Sequence, residues 1–207
     1  KYVEKKLKSK NYNLNYSGST CVMLFLIEDA LICSNIGDSK CVLFKCSENE
    51  KWSYVNLSDE HKPTKKDEKL RIINSGGVVH PFINGNGEYD DDIQRVWVKD
   101  KKYPGLSLSR SIGDEIGKTI GVISQPTFIS KKLDNRAKFI ILGSDGFWDV
   151  MDPKDIIIIV KKYLDSGDPG KAAKALVEKA KKEWDKISER DDITVVLIFI
   201  KVFTSKK

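Results

Sequence analysis

Asp145 and Asp149 stand four residues apart in LGSDGFWDVMD, the stretch from Leu142 to Asp152, which is entered from the apolar run Phe139-Ile140-Ile141. A buried strand that stops at Ser144-Asp145-Gly146 leaves a carboxylate at a sheet end, with Gly146 free to turn sharply. If the turn continues helically, the two side chains point in similar directions, as oxygen ligands for a hard divalent cation must. The same residues also fit a strand followed by an Asp-capped turn. Asp38 in IGDSK and Asp191 in SERDDITVV repeat the arrangement, each beside an apolar strand at a sharp turn. Several carboxylates brought to one sheet edge repel one another unless a cation neutralises them, so convergence would imply Mg2+ or Mn2+. Taken singly, each is an ordinary turn aspartate.

These aspartates must be positioned by the elements around them. Ser19–Glu28 is almost wholly apolar and is followed, after Glu28-Asp29, by Ala30–Ile36, which predicts a hairpin of buried strands. Lys40–Cys46 and Trp52–Leu57 extend this to a meander. Pro63 breaks any strand, and Thr64–Ser75 predicts a helix with Thr64 as N-cap and Gly76 beyond its end. Val78–Tyr103, within an irregular, flap-like insertion over 78–118, carries the acidic run Glu88-Tyr89-Asp90-Asp91-Asp92 and only one clear strand, Arg95–Val98. Loops of this length inside a domain are usually functional. Leu106–Ile112 predicts strand and turn, Thr127–Lys131 and Lys138–Leu142 strands, and Thr194–Val202 a last strand. Between them, helices Pro153–Leu164 and Pro169–Ile187 both open on Asp-Pro. The second has Ala173, Leu176, Val177, Ala180, Trp184 and Ile187 at i, i+3, i+4 spacing on one apolar face, suited to packing on a sheet. Sheet first and long helices late predict an α+β fold.

The 207 residues suit a single domain, 1–207, and 40% hydrophobic with 32% charged residues suit a globular one. No apolar run approaches the ~20 residues that span a bilayer, so no membrane association is expected. The 36 Lys and Arg against 30 Asp and Glu give +6, but the basic pairs are dispersed. A concentrated basic stripe with stacking aromatics is missing, which argues against nucleic acid. Cys21, Cys33, Cys41 and Cys46 form no CxxC pair, and with only His61 and His80 in the chain zinc is disfavoured. Buried thiols in a reducing compartment, cytoplasm or nucleus, are the expectation. No cysteine stands beside a phosphate-cradling loop that ends in Arg, so thiolate catalysis is disfavoured. His61, beside Lys62-Pro63, is read as structural.

Seven stretches, in order along the chain, carry a resemblance. They are SGSTC (Ser17–Cys21), NIGDSK (Asn35–Lys40), DEHKP (Asp59–Pro63), RIINSGG (Arg71–Gly77), PGLSLSRSIGD (Pro104–Asp114), SDGFWDVM (Ser144–Met151) and ERDDITVV (Glu189–Val196). Together they resemble the metal-dependent protein serine/threonine phosphatases of the type 2C (PPM) family. The resemblance implies a layered α-β-β-α sandwich of two antiparallel sheets flanked by helices. It implies hydrolysis of phosphoserine and phosphothreonine by a metal-activated water attacking phosphorus in line, with no phosphoenzyme. Asp145 and Asp191 resemble the pair that binds one catalytic metal. Asp38 resembles an aspartate approaching a further, weaker metal site, which Asp149 resembles the carboxylate to share. Two Mg2+ or Mn2+ per active site, with a third weaker one, are implied. Arg110, Gly113 and Asp114 match a segment beside the active site, where an Arg–Asp pair would fix a turn.

The family's acid-base His, phosphate-binding Arg and metal-bridging Asp-Gly-His-Gly turn would all precede Ser17, and the first 16 residues hold nothing like them. The expectation is therefore part of a catalytic domain, lacking its N-terminal strands and inactive alone, with no catalytic or substrate-binding residue assigned in it. Phosphorylated proteins would be the substrates, and exposed sheet edges could take up the missing N-terminal segment or a second chain. The alternatives are a pseudophosphatase or regulatory binding module without turnover and, less favoured, a phosphodiesterase-like metal hydrolase.

Overall fold

The computed structural model describes residues 2–83, 88 and 93–201. In chain order its elements are α1 (Tyr2–Lys8), β1 (Gly18–Ser19), β2 (Cys21–Ile27), β3 (Ala30–Ile36), β4 (Lys40–Cys46) and β5 (Trp52–Asn56). There follow α2 (Lys66–Asn74), β6 (Gly77–His80), β7 (Arg95–Val98), β8 (Pro104–Leu106), β9 (Ile112–Gly113) and α3 (Glu115–Lys118). The last third holds β10 (Thr127–Lys132), β11 (Ala137–Gly143), α4 (Asp145–Trp148), α5 (Pro153–Leu164), α6 (Pro169–Lys186) and β12 (Val195–Phe199). This is an α+β fold of several antiparallel sheets and helices. The chain divides into two compact units, each discontinuous in sequence. The first comprises Lys1–Cys21, Asn35–Asp38 and Glu60–Thr127, and the second Val22–Ser34, Ser39–Asp59 and Phe128–Lys207.

The second unit is built on a four-stranded sheet in the order β12-β11-β4-β5, with β11 paired antiparallel to both β4 and β12. Alternation decides which face each side chain serves. Val42, Phe44, Phe139 and Ile141 turn to one face, where they meet Ile156 and Val160 of α5 and Leu176 and Ala180 of α6. Phe44 and Phe139 stack there, with centroids 4.5 Å apart. Cys41, Leu43 and Ile140 turn to the other face, against Leu31 and Cys33 of β3 and Leu57. A sheet covered on both faces explains why β4 and β11 read as continuous apolar runs. Each long helix starts at its expected Asp-Pro. The Asp152 side chain accepts from Lys154 N–H at 2.7 Å, and Asp168 from Lys171 N–H at 2.9 Å.

The hairpin of buried strands is corrected on one side. β3 is buried over most of its length, but β2 lies at the edge of the sheet β10-β3-β2 with Phe25 48% and Leu26 61% exposed. Val22 and Leu24 pack on the core with Leu31 and Cys33, but Met23, Phe25, Leu26 and Ile27 have no covering layer among the described residues of its unit.

In the first unit α2 packs on the sheet β6-β7-β8 through Ile72, which meets Val96, Ile120 and Val122. Burying an isoleucine this fully contributes roughly 1.5–3 kcal/mol. The helix starts one turn-residue later than expected: Lys65, not Thr64, is the N-cap and makes no side-chain cap bond. Gly76 stands beyond its end with φ +85° as expected. The stretch between Ile83 and Ile93 falls outside the described residues except for Glu88, so the acidic run does too. Among the described residues no helix is long and apolar enough to cross a membrane.

Candidate metal centre

β11 delivers its buried run to Gly143, and Ser144 then opens the single-turn α4. Ser144 ties this turn to the segment before β12 by three hydrogen bonds. Its N–H donates to Thr194 O (3.1 Å), its hydroxyl donates to Asp192 O (3.0 Å), and that hydroxyl accepts from Thr194 N–H (3.0 Å). Gly146 lets the two segments close: a Cβ there would stand 2.5 Å from Asp192 O and 3.1 Å from Asp191 Cβ. The Trp184 indole on α6 supports the turn from outside, donating to Gly146 O at 2.6 Å. Phe147, fully buried, anchors it from inside.

Asp145 and Asp191 are thus carried on two segments in direct contact. Each carboxylate accepts one hydrogen bond from the next residue's N–H, Asp145 from Gly146 at 2.9 Å and Asp191 from Asp192 at 2.7 Å. Neither has an ion pair among the described residues. Asp145 is half-buried and Asp191 exposed, beside a cavity of about 540 Å³ lined by Trp184, Lys181, Arg190 and Asp192. Asp149 N–H donates to Asp145 O at 2.9 Å, so the helical continuation expected from the spacing is present. Its side chain is exposed.

Asp38 falls in the first unit, where the turn that holds it is fastened differently. Gly37 adopts φ +93° and packs against Thr20 and the Arg110 carbonyl, which leaves no room for a side chain. Its N–H donates to His61 Nδ1 at 3.0 Å, and its carbonyl accepts from His61 N–H and Asn35 Nδ2, both at 3.0 Å. Asp38, 2% exposed, is paired with the Lys62 ammonium at 2.7 Å. His61 accepts at Nδ1, so its proton lies on Nε2, which donates to Thr127 Oγ1 at 3.2 Å. Burial pulls its pKa down to about 4, with Arg110 acting in the same direction. A neutral imidazole bonded on both nitrogens is a structural part, as expected from the sequence.

The Arg–Asp pair expected at Arg110 and Asp114 is corrected. Arg110 pairs instead with Glu68 at 2.6 Å, together with Arg71, which holds both Glu68 oxygens at 2.9 and 2.7 Å. The Ser109 hydroxyl donates to the same carboxylate. Burial pushes Glu68 up, but the bonds from Arg71, Arg110 and Ser109 more than reverse this and hold it below the usual carboxylate range. Asp114 caps α3 with φ +51°.

Sequence reasoning overlooked Lys62, Glu68, Ser144 and Trp184. For Ser144 a signal exists, a hydroxyl directly before an Asp-Gly turn. Nothing local marks Lys62 or Trp184, whose partners lie 24 and 38 residues away, and Glu68, beside its near partner Arg71, has a second one in Arg110, 42 residues away. Asp145 and Asp191 suit Mg2+ or Mn2+ in donor type and in having no protein cation among the described residues. Among the described residues, no group of three or more His, Cys, Asp or Glu could hold a metal ion.

An α+β fold with antiparallel sheets and an aspartate turn at a strand end defines a class of protein. Known proteins make the class particular. The model of the protein phosphatase 2C family matches residues 2–185, across both units, and the chain belongs to that family. It is 36% identical over 188 residues to a probable protein phosphatase 2C 73 of Oryza sativa subsp. japonica, covering 89% of this chain and 43% of that protein. A probable protein phosphatase 2C 73 of Arabidopsis thaliana is 35% identical over 89% of this chain and 48% of its own length. Among solved structures, a serine-threonine phosphatase 2C from Toxoplasma gondii superposes with a TM-score of 0.80 at 25% identity, covering 96% of this chain and 64% of that one. A C. elegans sex-determining protein shares the fold, with a TM-score of 0.68 at 21% identity. The chain spans about half the length of the curated relatives it matches.

Proposed function

We propose that the chain is part of a Mg2+- or Mn2+-dependent protein phosphatase acting on phosphoserine and phosphothreonine. The observation that carries this is the Asp145–Asp191 junction: two carboxylates on contacting segments, fixed in place yet given no protein cation. Asp145 and Asp191 would hold one ion, and Asp149 and Asp38 are each proposed as weaker metal ligands. Bound there, such an ion acidifies water and neutralises phosphoryl oxygens. The chain's own residues keep the two carboxylates in position: Ser144 locks the segments together, Gly146 permits their approach, and Trp184 supports the turn. The remaining ligands, the acid-base His and the phosphate-binding Arg are assigned to chain beyond these 207 residues. So are strands that would pair with β2 and complete an α-β-β-α sandwich. The length of the relatives supports this, as does the uncovered apolar face of β2. The insertion from Val78 to Tyr103 is assigned to substrate choice.

The test is hydrolysis of a phosphothreonine peptide by the full-length protein with Mn2+. Turnover that Asp145→Ala abolishes is the expected result. Full activity in Asp145→Ala would overturn the reading. A regulatory module without turnover is the second reading, favoured by the lack of a third ligand among the described residues. Mn2+ binding without hydrolysis of any phosphopeptide would select it.

A further inference from the structure

The first unit carries a groove of about 470 Å³ away from the aspartates, formed over the sheet β6-β7-β8. Val78 and Trp97 are cross-strand partners, and His80 follows two residues after Val78, so all three serve one face. The floor is preformed. The Trp97 indole donates to His80 O at 3.0 Å, and the His80 ring stacks on it with centroids 5.6 Å apart and planes 13° apart. Phe82 leans on the same indole at 6.0 Å and, being 36% exposed, offers an open apolar edge. The turn Val98–Lys101, closed by Lys101 N–H to Val98 O at 3.0 Å, forms the rim. Asp100 adopts φ +59° in that turn. Lys99, Lys101 and Lys102 line the rim with Asp100 as the only acid among the described lining residues. None of the three ammonium groups is in an ion pair among the described residues.

We infer that this groove docks a short acidic peptide segment of a partner protein, with one bulky apolar side chain seated against Phe82 and carboxylates on the lysine rim. Charge complementarity selects the occupant. An apolar floor alone would serve any hydrophobe, but three unpaired lysines around it favour a chain that brings carboxylates and a hydrophobe together. A nucleotide is disfavoured by the same geometry. Trp97 is only 5% exposed, His80 covers its face, and a Cβ on Gly105 would come within 2.8 Å of its six-membered ring, so the indole has little face left to stack a base. Where the partner is a phosphoprotein substrate, the inference rests on the phosphatase reading. The binding event itself needs neither phosphate nor metal.

The experiment uses the full-length protein in EDTA and a fluorescein-labelled, non-phosphorylated peptide, Glu-Asp-Leu-Phe-Asp-Glu, followed by fluorescence anisotropy. A Kd of about 10–100 μM is expected, the weak range of short docking peptides. Replacing Leu-Phe by Ser-Ser, or the four acids by Lys, should weaken binding at least about tenfold, and raising the salt should weaken it further. Lys99→Glu/Lys101→Glu/Lys102→Glu lies on an exposed turn and should lose binding with an unchanged unfolding midpoint, and Phe82→Ser should lose it independently. No saturable binding, equal binding of the basic peptide, or binding indifferent to both variants would overturn the inference. So would ATP binding at the rim lysines without peptide binding. EDTA and the lack of phosphate keep these outcomes separate from failure of the phosphatase reading.

Discussion

Two carboxylate sites in this chain are built to opposite ends. Glu68 in the first unit is 4% exposed and receives two guanidinium groups and a hydroxyl, so its charge is neutralised from within. Asp145 and Asp191 in the second unit receive one neighbouring N–H each and no cation among the described residues. In the first case Arg71 also bonds Gly121 O and Ser109 O, so the ion cluster connects α2 to two loops. In the second, the backbone around the carboxylates is bonded tightly while their outer oxygens are left to the solvent. Glu68 thus links elements of its unit, whereas Asp145 and Asp191 are held by backbone bonds with no protein cation among the described residues.

The largest effect should come from removing the link. Glu68→Ala leaves Arg71 and Arg110 half-buried without their anion and should destabilise the chain by about 3–5 kcal/mol, measured by urea unfolding. A loss under about 1 kcal/mol would erase the contrast between the sites. Acid should act on the same region next. The folded pKa of His61, about 4, lies below its ordinary 6.5, so between these values the unfolded chain binds more protons and stability rises with pH. Lowering the pH from 6.5 to 4 should therefore cost roughly 3 kcal/mol, with Glu68 adding a further loss at the acid end, and His61→Gln should flatten the slope. A slope that survives His61→Gln would assign the effect elsewhere.

At the other site stability and binding should separate. Asp145→Asn should lower Mn2+ affinity at least about tenfold by calorimetry on the full-length protein while the unfolding free energy moves by less than about 0.5 kcal/mol. Destabilisation as large as that of Glu68→Ala would make Asp145 a structural residue too. The smallest change expected is from Trp184→Phe, which keeps the packing but removes the bond to Gly146 O. About 1 kcal/mol of stability should go, read from thermal unfolding, with a modest loss of Mn2+ affinity.

The elements were legible where local chemistry sets them. α5 starts and ends where the sequence places it, because Asp152-Pro153 is a complete start signal and its Lys154 cap bond forms. β4 likewise matches, since a strand buried on both faces has only one reading. The segment Leu106–Ile112 was less legible: β8 stops at Leu106, and Arg110 is turned to Glu68 by a partner 42 residues back, which no local pattern announces. The misreading of β2 has a physical cause. An apolar strand specifies that it needs a cover, but what supplies that cover is not written in the strand. The aspartates share a turn setting in the sequence, yet the sequence does not show that Lys62 sits on Asp38 while no cation among the described residues pairs with Asp145 or Asp191.

The bare side of β2 also bears on how the polypeptide behaves in solution. An edge strand with four exposed apolar side chains, Met23, Phe25, Leu26 and Ile27, and an open row of main-chain groups is a template for intermolecular β-pairing. The net charge of +6 opposes association only at long range and is screened by salt. A single lysine placed at Phe25 should therefore do more to keep concentrated samples clear than added charge on the helices.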